Sequence, residues 1–272
     1  SVHFPLLFNL LNGAAATVVG LHIINTDDEP TLKLTWLGIV MLLPLFGTLL
    51  YAYIRSDLGH RVIKSRVQSL MDMTRECLHT EEQVREELKQ GDASLLQLEN
   101  YLERTGCYPV YKNTKVTYYP LGDLAFTAML EQLEKAEHFI FLEYFIVEEG
   151  HMWGQILEIL ARKASEGLEV RLMYDGTCEF STLPRIYPEK LRKLGIKCKM
   201  FAPIMPFVST HYNYRDHRKI MVIDGRVSFT GGINLADEYI NKKVKYGHWK
   251  DTAVMLQGEA TRSFTLMFLQ MW

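Results

Sequence analysis

His217 and Lys219 stand two residues apart, Asp224 follows five residues after Lys219, and Gly231-Gly232 with Asn234 closes the stretch. An imidazole can attack phosphorus, an ammonium can neutralise phosphate oxygens, and a carboxylate can orient the imidazole. These are parts suited to attacking and holding a phosphodiester. Side chains alternate along a strand with period two, so His217 and Lys219 share a face. Asp224-Gly225 reads as a hairpin turn into Arg226-Val227-Ser228-Phe229-Thr230. Gly231-Gly232 lets backbone N–H groups approach an anion, and Asn234 opens a short helix running to Ile240. The alternative is an ordinary half-buried hairpin whose charged groups are solvated or paired for structure. Pattern, hairpin and glycine turn together favour phosphoryl transfer.

The chain around this stretch has 272 residues, 48% of them hydrophobic, and a formal charge of -2. That is room for a membrane segment plus one ordinary domain, and it lacks the basic balance of a nucleic-acid binder. Cys77, Cys107, Cys178 and Cys198 are scattered without metal spacing, which fits reduced structural thiols.

The apolar residues are concentrated at the amino-terminal end. Trp36 to Ile54 carries no charge and is long enough to cross a hydrocarbon core, with Pro44 and Gly47 expected to kink it. Phe4 to Ile24 is also uncharged, but Asn9, Asn12 and His22 dilute it, so it is the weaker span. Arg55, His60, Arg61, Lys64 and Arg66 follow the second run, whereas the loop between the runs is acidic, which places the remainder of the chain in the cytoplasm. We therefore expect a membrane region over residues 1–54, multi-pass if both runs span, and a charged helical spacer over 55–107.

From residue 108 to 272 strands and helices alternate. Strands are expected at Thr114–Tyr119, His138–Val147, Glu169–Tyr174, Ile196–Phe201 and Thr252–Leu256, and helices at Gly122–Ala136, Met152–Glu166, Pro188–Leu194 and from about Gly258. This predicts an α/β fold, a mixed sheet flanked by helices on both faces. The last helical pattern reaches Trp272 with no stop signal, which we read as a chain continuing beyond it.

The pattern His217-x-Lys219-x4-Asp224-x6-Gly231-Gly232-x-Asn234 resembles the HKD motif of the phospholipase D superfamily. Its flanks, Asn213 to Lys219 and Phe229 to Tyr239, together with His248-Trp249-Lys250-Asp251-Thr252, resemble the first motif of bacterial cardiolipin synthases of that superfamily. The resemblance covers nearly the whole chain, but such synthases carry two HKD motifs and this sequence has one. It implies a phospholipase D-like catalytic half over 108–272, with His217 as nucleophile forming a phosphohistidine and Lys219 stabilising the non-bridging oxygens. Asn234 and the backbone of Gly231-Gly232 would help hold those oxygens, and Asp224 would orient His217. No metal or other cofactor is required for this chemistry.

The implied reaction moves a phosphatidyl group from one phosphatidylglycerol to another, making cardiolipin and releasing glycerol. Water in place of the acceptor would make the enzyme a phospholipase D. A second HKD half must come from a further carboxy-terminal segment or from a second chain. A dimerising single-motif phosphodiesterase or nuclease and a non-catalytic membrane scaffold are the competing readings, and nucleic acid is not an expected partner. Glu143, a charge within a hydrophobic strand, either faces the site or forms a structural ion pair. Arg215 is placed to meet lipid phosphate, while Arg218 should point away from the His217 face. Asp175-Gly176 is either a functional loop or a turn. His211, Tyr212 and Tyr214 are expected at the rim, and the apolar loop Phe201 to Val208 is expected either to bury core or to touch acyl chains.

Overall fold

A computed structural model of the chain describes residues 3–56, 58–91, 93–106, 108–203 and 215–272. The chain falls into two compact units, divided after Ile63. The rim residues His211, Tyr212 and Tyr214, and the loop from 204 onward, lie outside the described residues.

The first unit is helical: α1 (His3–Ile24), α2 (Pro30–Leu42) and α3 (Pro44–Ser56). Trp36 to Ile54, expected as one kinked span, is instead divided between α2 and α3, each of 13 residues. Pro44 has no N–H to give the Val40 carbonyl, and Leu43 leaves helical dihedrals at φ -131° and ψ 71°. Gly47 lets the first turn of α3 press on the end of α2, since a Cβ there would lie 2.7 Å from the Ile39 carbonyl oxygen. Among the described residues, the helix that by length and composition could cross a membrane is therefore the run read as weaker, Phe4–Ile24, of 21 residues. Its inner stripe packs through Ile23 with Val40 and Tyr51, while Phe4, Leu10 and Val18 point outward.

The boundary falls within α4 (Leu58–Thr74), and the second unit continues with α5 (Glu82–Gln90) and α6 (Ala93–Gly106). Their charged residues pair across the helices: Arg85 meets Glu99 at 3.0 Å and also contacts Glu103. Thr74 accepts a 2.8 Å hydrogen bond from Gln270, near the end of the described chain.

A mixed sheet then follows, built from β1 (Thr114–Tyr119), β2 (Phe139–Tyr144), β3 (Glu169–Asp175), β4 (Lys197–Phe201), β5 (Lys219–Ile223), β6 (Val227–Gly231) and β7 (Ala253–Gly258). The spatial order is β1-β7-β6-β5-β2-β3-β4. β2, β3 and β4 run parallel, as helical crossovers demand, and β5 reverses the direction beside β2. The helices are α7 (Gly122–Glu134), α8 (His151–Ser165), the short α9 (Cys178–Ser181) and α10 (Tyr187–Lys193), then α11 (Thr261–Met271) after the sheet. The expected mixed sheet flanked by helices is what forms.

The pleat assigns every side chain of the central pair to a layer. Ile140, Leu142 and Tyr144 of β2 lie opposite Ile223, Met221 and Lys219 of β5, and their apolar members join the larger core, with Met129, Leu133, Trp153 and Leu160. Phe141 lies opposite Val222 on the other layer, where Ile220, Met173 and Phe268 of α11 complete a smaller aromatic core. Phe141 and Phe268 stack with centroids 4.7 Å apart.

Candidate active site

Antiparallel pairing puts Tyr144, the last residue of β2, opposite Lys219, the first of β5. The residues after β2 and before β5 therefore meet at one end of the sheet, and the loop after β6 joins them there. Leu235 bridges to Val147, its N–H donates to the Ile146 carbonyl at 3.1 Å, and the Glu148 N–H donates to the Leu235 carbonyl at 3.0 Å.

His217 is exposed at this end, with its ring 4.7 Å from that of Phe145. Lys219 is buried; its ammonium lies 5.3 Å from the centroid of the same Phe145 ring and donates to the His217 carbonyl oxygen at 2.7 Å. Phe145 thus seats both groups, a role that sequence reading missed because one aromatic in an aromatic strand carries no signal. Burial lowers the Lys219 pKa below the ordinary lysine range, and the carboxylates of Asp216 and Asp251 oppose that shift.

Asp224 lies elsewhere. Five residues of strand separate it from Lys219, roughly 16 Å at the usual rise. Its Oδ1 accepts the N–H groups of His138 and Phe139, and Oδ2 that of Glu137, each at 2.8 Å. Burial would raise its pKa, but these backbone donors outweigh it and hold the carboxyl below the usual range. The expectation that Asp224 orients His217 is thereby corrected: it pins the β5–β6 turn to the start of β2. The carboxylate within electrostatic reach of Lys219 on the site side is Asp251, which sits against Gly232.

The glycine pair also has a different basis from the one expected. Gly231 has φ +154°, and a Cβ there would lie 2.3 Å from the Thr252 carbonyl oxygen. A Cβ on Gly232 would fall 1.9 Å from Asp251 Oδ1, and the Gly232 N–H is already given to the Thr252 carbonyl at 3.0 Å. The pair brings β6 and β7 together and admits Asp251; the Gly232 amide is not a free anion donor.

Asn234 is buried, with its Oδ1 accepting the Ile146 N–H at 2.9 Å and its Nδ2 donating to the Tyr239 hydroxyl at 2.8 Å. One amide hydrogen is left over after these contacts. The helix expected from Asn234 is shorter, a 3-10 turn over Asp237–Ile240. Asp237 instead caps α8, accepting the N–H groups of His151 at 2.9 Å and Met152 at 2.8 Å.

Glu143 and Arg215 are the remaining expected site residues, and both are engaged in the scaffold. Glu143 lies on the α11 side of the sheet, opposite to the Lys219 side, with Arg218 Nη2 2.8 Å from its Oε1. Asp216 accepts from Arg218 Nε at 2.9 Å. Burial first, then the neighbouring Asp216 carboxylate, push the Glu143 pKa up to about 10; Asp216 is held low by its neighbours Glu143 and Arg218 despite its burial. Glu143 thus keeps its proton where Asp216 is ionised, behind the residues that flank His217. Arg215 Nη1 donates to the Ala202 carbonyl at 2.7 Å and lies 3.6 Å from Asp175 Oδ1. Asp175 also accepts the Thr177 N–H at 2.9 Å, which is turn chemistry.

Residues 129–272 match the family model described as "Cardiolipin synthase, PLD-like domain", and residues 14–55 match "Phospholipase_D-nuclease N-terminal". The chain belongs to the cardiolipin synthase, PLD-like domain family.

An uncharacterized protein of Streptococcus mutans is 53% identical over 252 residues, 93% of this chain and 55% of that protein. A cardiolipin synthase of Alkalihalophilus pseudofirmus is 35% identical over 93% of this chain and 51% of its own length. One of Halalkalibacterium halodurans is 34% identical over 97% of this chain and 53% of its own. The chain spans about half the length of the curated relatives it matches. Its PLD-like domain carries the whole HKD pattern, with His217 and Lys219 gathered at one end of β5 and Asp224 at the other.

Proposed function

We propose that this chain supplies the nucleophilic half of a phosphatidyltransferase that makes cardiolipin from two phosphatidylglycerol molecules. The observation that carries the reading is the pairing of an exposed His217 ring with a buried Lys219 ammonium on one aromatic side chain, Phe145. An imidazole nitrogen of His217 attacks phosphorus, the P–O bond to glycerol breaks, and glycerol departs with a proton from a second HKD half. The hydroxyl of another phosphatidylglycerol then displaces the imidazole, giving its proton back to that second half and leaving cardiolipin. Lys219 holds the non-bridging oxygens through both steps, and the spare amide hydrogen of Asn234 is the polar group nearest in kind to assist it. The second half comes from a further segment of the protein or from a second chain.

The cell membrane is the proposed location. Phe4–Ile24 crosses it, α2 and α3 form a re-entrant or second passage, and the basic residues from Arg55 onward keep the PLD-like domain on the cytoplasmic side. Because His217 is exposed, water is a competing acceptor, and phospholipase D hydrolysis is the second reading.

The test uses full-length protein in vesicles with labelled phosphatidylglycerol. Cardiolipin plus glycerol is the expected product pair; phosphatidic acid establishes the hydrolase, and DNA cleavage without lipid turnover overturns both. His217→Ala should abolish turnover and trap no phosphoenzyme.

A further inference from the structure

The loop from Asn241 to Trp249 is closed at its neck and bare at its tip. Asn241, at φ +56°, donates from Nδ2 to the Trp249 carbonyl at 3.0 Å and accepts the Trp249 N–H on Oδ1 at 2.7 Å. Every residue from Lys242 to His248 is exposed. Val244 and Tyr246, at 83% and 82%, are more exposed than any other large apolar side chain among the described residues. Lysines alternate with them: Lys242, Lys243, Lys245 and then Lys250, with no acid in the segment. Lys243 and Lys245 are braced by Glu148 and Glu238, at 2.5 and 2.8 Å, whereas Lys242 and Lys250 have no carboxylate partner among the described residues. The loop is also wired to the site: Tyr246 packs 6.0 Å from Trp249, Trp249 5.0 Å from Tyr239, and the Tyr239 hydroxyl accepts from Asn234.

We infer that this loop is the surface by which the catalytic face engages an anionic phospholipid bilayer. Val244 and Tyr246 are held out on a clamped loop, a position that costs hydration free energy unless an interface receives them. Tyrosine settles at headgroup depth and lysine is drawn to anionic headgroups, so the alternation suits a plane of negative charge over hydrocarbon. The neck clamp keeps the ordering cost of insertion low. With the tip embedded, the Trp249–Tyr239 contact fixes the distance between the bilayer surface and Asn234. The inference rests on the phospholipid reading of the site, but its readout is the position of the loop rather than turnover.

An environment-sensitive fluorescent amino acid in place of Val244 tests it, in full-length protein reconstituted into vesicles. One set contains phosphatidylcholine alone and the other equal parts of phosphatidylcholine and phosphatidylglycerol. Emission should shift to the blue, and become quenchable by acyl-chain nitroxides, in the anionic set. Lys242→Gln and Lys250→Gln should each lower the ratio of inserted to free loop roughly fivefold, the factor for one surface lysine beside anionic lipid, with unfolding temperature unchanged. A label open to aqueous iodide in both vesicle sets overturns the inference, and so does a label equally shielded in both, which assigns the loop to the second HKD half. A label that responds to duplex DNA and not to vesicles overturns it too. A dry label in a protein inert towards phosphatidylglycerol sustains the loop while refuting the transferase.

Discussion

The Lys219 ammonium donates to the main-chain carbonyl of His217 at 2.7 Å. The cation is therefore held by the backbone of the residue it assists, and its position over Phe145 does not depend on a flexible partner side chain. A buried ammonium with one such anchor retains donors for phosphate oxygens.

Lys219→Met should lower turnover of phosphatidylglycerol by about 10²- to 10³-fold, the range for loss of one group stabilising an oxyanion. Because burial lowers the Lys219 pKa, the alkaline limb of kcat/KM should begin below the ordinary lysine range, near pH 10.4. Lys219→Arg should move that limb upward in whatever activity it retains. A pH profile with the limb unmoved in the arginine variant assigns it to another group.

Asp224→Asn should act on stability. Its carboxylate satisfies three backbone N–H groups, and hydrogen bonds to a charged group are worth about 1.5–3 kcal/mol each, so we expect a loss of about 2–4 kcal/mol. The folded pKa is depressed, so this stability is present above the unfolded value and is lost as pH falls through the folded one. Denaturant melts across the acid range read it. Turnover per folded molecule should hold; a large fall in kcat in a variant of normal stability would return Asp224 to the catalytic group.

The proton held on buried Glu143 sets a different window. The folded pKa of Glu143 is raised to about 10, so its contribution to stability is full below the unfolded value near 4.3 and is lost as pH rises towards 10. Glu143→Gln removes that titration. Unfolding free energy should decline less steeply between pH 5 and 9, an interval inside the window between those two values. At neutral pH the glutamine variant should equal or exceed the parent protein, whereas Glu143→Ala should fall below it. A stability curve of unchanged slope in the glutamine variant refutes the raised Glu143 titration.

Gly232→Ala separates packing from phosphate binding. The added methyl falls 1.9 Å from Asp251 Oδ1, so that carboxylate must move away from the Lys219 side of the site. We expect kcat to fall with KM little changed, and Asp251→Asn to share the defect. A rise in KM with kcat preserved points instead to a substrate contact by the glycine backbone.

The local pattern in the sequence already held much of the fold. Alternation of β-prone and helical runs marked every strand of the sheet to within a few residues, because period and turn chemistry are local properties. His217 and Lys219 were legible for the same reason: a spacing of two settles which strand face they share. Pro44 was visible too, but whether it kinks or divides a helix depended on Gly47 closing against Ile39, a contact no periodicity encodes.

Tertiary structure alone decided what the other motif residues touch. Asp224 reads in sequence as a neighbour of His217, yet β5 carries it to the opposite end of the sheet, onto backbone amides contributed by residues 137–139. Glu143 was ambiguous until strand pairing placed it on the α11 layer beside Arg218. Phe145 packs on Lys219 and the Asp251 charge acts on it from two other segments of chain. The sequence determined the chemical groups and the strand that presents two of them, since those follow from identity and period. Their partners come from segments about 30 to 90 residues away, brought in by sheet order and register, and those are properties of the assembled core.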